Sequence, residues 1–359
     1  MWSSDHRSAL RGVGVVCVLF AVSALGASEA KPGKAAFPGR NGLIVFQSFR
    51  SGASQIYTET VPPSPVKRLT QVKSSRPAHC YAVPAWSPDG RRIAYEYNPS
   101  PTGMPARNSD IYVMNANGGF PRRLTTTLGF DGDPTWSHDG KKIAFESTRS
   151  GNSDVWVMNA DGSNPKNLTA RNRGFDGDPA WSPGGRKIAF TSSRNGEKTT
   201  DVYLLDTANP SAPPLNLTND PADDFDPAWS SDGQLVSFVS DRDGNDEIYE
   251  TNDRFLLKRL TNDPGFDAFP AWSPDGRWIA FSTDRSDAGN RDVFYMSSNG
   301  DESGVTELTQ APGWDQAPDW QRAKPSTAPV SPAPAHPATK QPHRDSPADS
   351  KAAVACVPK

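Results

Sequence analysis

A tryptophan preceded by proline two residues earlier recurs at Trp86, Trp136, Trp181, Trp229, Trp272 and Trp320, at intervals of 50, 45, 48, 43 and 48 residues. That interval accommodates one small antiparallel sheet per repeat, which is the period of a propeller blade. A unit this short cannot bury its own apolar face, so its neighbours must cover it. The rest of each repeat supplies the remaining strands. A Ser-Pro-Asp-Gly reversal follows the tryptophan, complete at Ser87 to Gly90 and Ser273 to Gly276, with His138, Gly184 and Ser231 as local departures. Alternating second strands start at Ile93, Ile143, Ile188, Val236 and Ile279, and third strands near Ile111, Val155, Val202, Glu247 and Val293. The fourth ends in a Leu-Thr pair, from Leu69 and Thr70 to Leu308 and Thr309.

The first unit, beginning at Leu43, has no tryptophan segment before it, and the last, ending at Trp320, has no repeat behind it. Joined, they make one further blade. The expected fold is all-β: a six-bladed β-propeller over residues 41–321, closed by pairing of the N-terminal strands with a C-terminal strand. Residues 1–30 read as a secretory signal, with Arg7 and Arg11 ahead of an apolar run from Gly12 to Leu25 and small residues after it. The run is shorter than the roughly 18–20 residues of a membrane span. Residues 31–40 read as a linker and 322–359 as a Pro/Ala/Ser-rich disordered tail.

These flanks predict a secreted, periplasmic or envelope-associated monomer that meets a membrane only through a partner or an uncleaved signal. The net charge of -3, from 38 basic and 41 acidic residues, gives no footprint for nucleic acid. Cys80 and Cys356 remain after the signal, free or paired with each other. The connections Gln71 to Ala85 and Asn98 to Asn108 are longer than their counterparts and belong to one repeat. That repeat, with Tyr81 at its mouth, is the expected docking sector.

The succession Pro-Ala-Trp-Ser-Pro-Asp-Gly, Ile-Ala-Phe, Asp-Ile-Tyr-Val-Met-Asn and Leu-Thr resembles the WD-like repeat of the TolB-type β-propellers. The resemblance covers Asn41 to Gln321 and implies their fold. It also implies an envelope setting, although the α/β domain that precedes the propeller in TolB is not expected here, only a few residues separating the signal from Leu43. Related propellers precede prolyl-oligopeptidase-type serine peptidases, but no Gly-x-Ser-x-Gly elbow is present. Others resemble oligogalacturonate lyases with several metal-binding histidines; here only His79 and His138 fall in the propeller.

Five residues before the tryptophan stand Asp131, Asp176, Asp224, Asp267 and Asp315, with Tyr81 in the remaining repeat. Three before it stand Asp133, Asp178 and Asp226. If the tryptophan strand is innermost, these carboxylates gather at the channel mouth. Three readings stay open: each Asp hydrogen-bonded within its own loop, a basic ligand bound directly, or a divalent cation, Ca2+ or Mg2+, on Asp131, Asp176, Asp224, Asp267 and Asp315. Neighbouring aromatics Phe130, Phe175, Phe225, Phe266 and Trp314 are expected to wedge between blades. Arg50, Arg149, Arg194, Arg242 and Arg285 are expected to pair with the acids that open the third strands. No coherent catalytic set emerges. The leading expectation is a module that docks an envelope or extracellular protein or peptide at one channel face, and the alternative is a polysaccharide hydrolase or lyase using the mouth carboxylates or a cation.

Overall fold

The computed structural model describes residues 39–71, 80–99, 109–196, 199–286 and 290–323. The expected signal, the tail, His79 and Cys356 lie outside them; Cys80 is disulfide-bonded. Six four-stranded antiparallel sheets make six blades, with one short 3-10 turn at Glu302–Gly304. The second to sixth blades begin with inner strands Cys80–Trp86, Asp131–Trp136, Asp176–Trp181, Asp224–Trp229 and Asp267–Trp272. The first blade takes its inner strand from Asp315–Arg322, which pairs antiparallel with Asn41–Ser48. Each inner strand touches its counterparts in the neighbouring blades, so the six surround a common axis.

The cores lie between blades rather than within them. One cluster joins Ala180, Ala189, Val202, Leu204 and Leu217 of the fourth blade to Trp229, Val236, Phe238 and Tyr249 of the fifth. Five further clusters bridge the other blade pairs in the same manner, each including one of the six tryptophans. The tryptophan recurs because a large flat side chain is needed once per interface. The threonine of each Leu-Thr pair has a separate task. Its Oγ1 accepts the N–H of the second residue of the third strand, as Thr125 does from Ile111 at 2.9 Å, and donates to the side chain that opens that strand, as Thr261 does to Glu247 at 2.6 Å. One hydroxyl thus fastens the short outer strand to the third.

The proline two residues before each tryptophan explains a shared irregularity. It has no N–H to offer the ladder, and in the second to sixth blades the register slips around it, as between Gly132 and Thr135. The residue before it takes a left-handed conformation in every blade: Val83, Asp133, Asp178, Asp226, Phe269 and Ala317 have φ between 43° and 56°. For a residue with a Cβ this costs about 1–3 kcal/mol each. Six repetitions of the same cost show that the bulge sets the shape of the axis. It turns these side chains inward.

Candidate functional site

The inner strands all begin at one face of the ring, hereafter the upper face, and the Ser-Pro-Asp-Gly hairpins lie on the opposite, lower face. Asp131, Asp176, Asp224, Asp267 and Asp315 open their inner strands at the upper face, and each is buried. The structure does not join them into one ring of ligands. Each is bound by an arginine of its own blade: Arg149 to Asp131 at 2.7 Å, Arg194 to Asp176 at 2.9 Å, Arg242 to Asp224 at 3.0 Å, Arg285 to Asp267 at 2.7 Å and Arg50 to Asp315 at 2.5 Å. In the third and fourth blades the serine two residues before the arginine, Ser147 or Ser192, donates to the same carboxylate. The guanidinium lies over two rings, Arg194 standing 4.9 Å from Phe190 and 5.0 Å from Tyr203.

This corrects the expected arginine pairing, since the arginines turn to the inner strand and not to the acids that open the third. Those acids take the threonine hydroxyls instead and, in two blades, an arginine of the fourth strand: Arg123 on Asp110 and Arg259 on Glu247, each at 2.7 Å. Each of the five carboxylates of the expected metal set thus has an arginine beside it as countercharge.

Burial works against that charge. It pushes Asp267 up to about 7, with Arg285 pulling the other way, and Asp224 up to about 6 against Ser240 and Arg242. Asp176 and Asp315 are raised by burial as well. Asp292, at the start of a third strand, is pushed up to about 6 by burial and by the nearby Asp315.

What does come together at the axis is Asp133, Glu146 and Asp178, all buried, with one carboxylate oxygen from each within 4.8 Å of the others. Asp133 and Asp178 are the bulge residues of the third and fourth blades, and Glu146 comes from the second strand of the third. Three carboxyl groups so close require shared protons or a countercharge, and their oxygens suit a hard divalent cation. Sequence reasoning missed Glu146; its signal was an acid directly after the apolar run Ile143 to Phe145, within the second strand. Asp226, the third bulge aspartate, is buried outside this trio.

Across the axis the lining is apolar: Phe225, Val239, Ala268, Phe269 and Ala317 pack together from the fifth, sixth and first blades. The expected aromatic wedges divide accordingly. Phe130 and Phe175 fold over their own strands, where a Cβ on Gly132 or Gly177 would lie 2.1 Å and 2.3 Å from the ring tips. In the fifth blade Phe225 takes the place of that glycine, opposite Val239, and joins the axial cluster.

Tyr81 marks the blade without the Asp–Arg unit. There Tyr81, Tyr97 and Tyr112 stand where the other blades carry the aspartate, its serine or threonine, and the third-strand aromatic. Tyr81 and Tyr97 have ring centroids 4.8 Å apart, and Tyr97 and Tyr112 meet edge-on at 5.3 Å. Burial pushes the Tyr97 hydroxyl up to about 12 and raises Tyr81. On the same upper face Trp314 is 45% exposed, and Arg291 lies between its ring and that of Phe266, at 4.9 Å and 3.9 Å.

The solved TolB of Acinetobacter baumannii superposes with a TM-score of 0.65 at 23% identity, over 78% of this chain and 66% of that one. A TolB homolog of Chlorobium luteolum is 28% identical over 144 residues, covering 30% of this chain and 32% of the relative. The Tol-Pal system protein TolB of Alcanivorax borkumensis is 37% identical over 68 residues, covering 19% and 14%. The chain thus matches a third or less of the length of these two relatives. The family described as TolB beta propeller domain matches residues 70–176 and 170–254, together more than half of the 359 residues. With six blades of this repeat around one axis, the chain belongs to the TolB beta propeller domain family.

Proposed function

We propose that this propeller is a binding module, secreted or held in the cell envelope, that docks a protein or peptide on its upper face. The observation that supports it is the aromatic sector there: Trp314 and Phe49 of the first blade with Arg291 of the sixth, beside the tilted and edge-on rings of Tyr81, Tyr97 and Tyr112 in the second. Tyrosine, tryptophan and arginine that are rigid before contact are the side chains that anchor protein interfaces. In the other five blades the arginine after the second strand is bound to the aspartate that opens the inner strand, whereas the second blade carries Tyr81 at that position. A relative named for the Tol-Pal system agrees with an envelope partner.

A photoreactive phenylalanine tests the face. Leu128, on the upper face, and Phe120, in a lower-face turn, are 86% and 85% exposed. In the native host, substitution at Leu128 is expected to yield an adduct of discrete mass, lost when Trp314→Ala is added, and substitution at Phe120 none. Adducts from both positions alike, or from neither, remove the proposal.

The enzymatic alternative draws on paired carboxylates, and the five at the upper face are each held by an arginine. For the Ca2+ or Mg2+ of the sequence reading, the place to look moves to Asp133, Glu146 and Asp178. Calorimetric titration of Ca2+ into the wild-type chain and Asp178→Asn decides it: one site lost in the variant keeps the cation, and a flat wild-type trace discards it.

A further inference from the structure

On the lower face four of the six tryptophans pack with the residue that precedes the buried Ile or Val early in the second strand of the preceding blade. Leu43 packs by Trp86, Leu235 by Trp272 and Trp278 by Trp320, while the Arg92 guanidinium stands 4.6 Å over Trp136. The two remaining positions are Lys142, before Trp181, and Lys187, before Trp229. A lysine can lay only its methylene stem along a ring and keeps its ammonium group in water. Clefts open at these two junctions. Above Trp229 the cleft measures about 130 Å³, and Lys187 reaches Asp253 at 3.9 Å. Above Trp181 it measures about 520 Å³, and the uncharged Thr207 occupies the place corresponding to Asp253. Among the described residues neither Lys142 nor Lys166, at the rim of the larger cleft, has an ion pair.

Three further departures from the repeat converge there. The indoles of Trp136, Trp229 and Trp320 donate across the blade boundary to Ala85, Ala180 and Ala271, but Trp181 donates to Gly185 of its own hairpin at 3.0 Å. Leu168 is only partly buried, whereas the other five leucines of the Leu-Thr pairs are buried. Gly184 replaces the hairpin aspartate that in four blades accepts the serine hydroxyl, so this rim carries one acid fewer. Asp139, also at the rim, is engaged by Ser137 and Lys141. The result is a cleft with an apolar floor of Val157, Met158, Leu168 and Trp181 under a cationic edge. Its volume falls in the range of small-molecule sites, about 300–1,000 Å³.

We propose that this cleft binds a small amphipathic carboxylate, its aromatic or branched apolar body over Trp181 and Leu168 and its carboxylate facing Lys142 and Lys166. The same chemistry is offered by a free organic acid and by the C-terminal residue of a polypeptide. The site lies on the face opposite the docking sector and is independent of that reading.

Calorimetric titration of naphthalene-2-acetate into the full chain tests it, with naphthalene-2-acetamide as the uncharged control. The expected result is one saturable site for the acid, at least tenfold weaker for the amide. Lys142→Leu with Lys166→Ala, which installs the leucine of two other blades, is expected to weaken the acid at least tenfold. Gly184→Asp, where an added Cβ meets nothing within 4 Å, is expected to weaken it in the same direction without touching the floor. Circular dichroism confirms that each variant is folded. Absence of binding to the wild type, equal binding of acid and amide, or indifference to both variants overturns the proposal. Gly-Gly-Phe and its C-terminal amide then separate the sources: tighter binding of the free-carboxylate peptide than of naphthalene-2-acetate supports a chain terminus, and the reverse supports a free acid.

Discussion

Arg194→Met is expected to destabilise the ring by about 3–5 kcal/mol, because it leaves a buried charge without its partner. Asp176 is fully buried and its arginine only 18% exposed, so water cannot take over the guanidinium's role. The double variant Asp176→Asn, Arg194→Met is expected to recover at least half of the loss, since it removes the stranded charge as well. The second blade gives the physical ground for that recovery. It folds with Tyr81, Tyr97 and Tyr112 in place of the ionic unit, showing that this corner of a blade accepts packed rings. Urea unfolding near pH 8, followed by tryptophan fluorescence, measures both variants. A single variant that costs under about 1 kcal/mol, the value of an exposed pair, removes the claim that the arginine neutralises a buried carboxylate.

Stability is expected to fall as the pH is raised from about 4 to about 7. Burial lifts Asp267 to about 7 and Asp224 to about 6 in the folded chain, from 3.8 for an ordinary aspartate. A raised carboxyl holds its proton in the folded state over a range where the unfolded chain has lost it. The contribution is therefore complete below the unfolded value and lost as the pH climbs through the folded one. For Asp267 the span is about three pH units, on the order of 4 kcal/mol at 1.36 kcal/mol per unit. Asp267→Asn is expected to flatten the slope between about pH 4 and pH 7. Denaturant midpoints at intervals across that range give the sign. A rising profile in the wild type means that Arg285 outweighs burial and keeps Asp267 ionised throughout.

The blade count and the buried tryptophans were legible because each interface demands the same flat side chain at the same interval, from Trp86 to Trp320. The arginine partners were not, and the register shows why. Ser147 lies opposite Asp131 on one side and Asp154 on the other, so the register places Arg149, two residues on, within reach of either, while the shorter sequence separation points to Asp154. Only burial and the rings of Phe145 and Trp156 select the inner aspartate. The axial trio was half visible. Asp133 and Asp178 belong to the repeat, but Glu146 joins them through the bulge, whose left-handed turn follows from proline and cannot be read from hydrophobic alternation. His138 and Gly184 stood out as isolated exceptions in two hairpins, and their common cleft is visible only once the third and fourth blades are side by side.

The first blade is assembled from strands that lie some 270 residues apart, Ile44 being paired with Trp320. On a ribosome the chain emerges at about 5–20 residues per second. Three strands of that sheet are therefore made early and wait many seconds for the fourth, keeping one side open to any passing strand. Its occupant arrives last, so final ring assembly is a late event of biogenesis, and release before Asp315 emerges yields a sticky fragment in place of a smaller working ring.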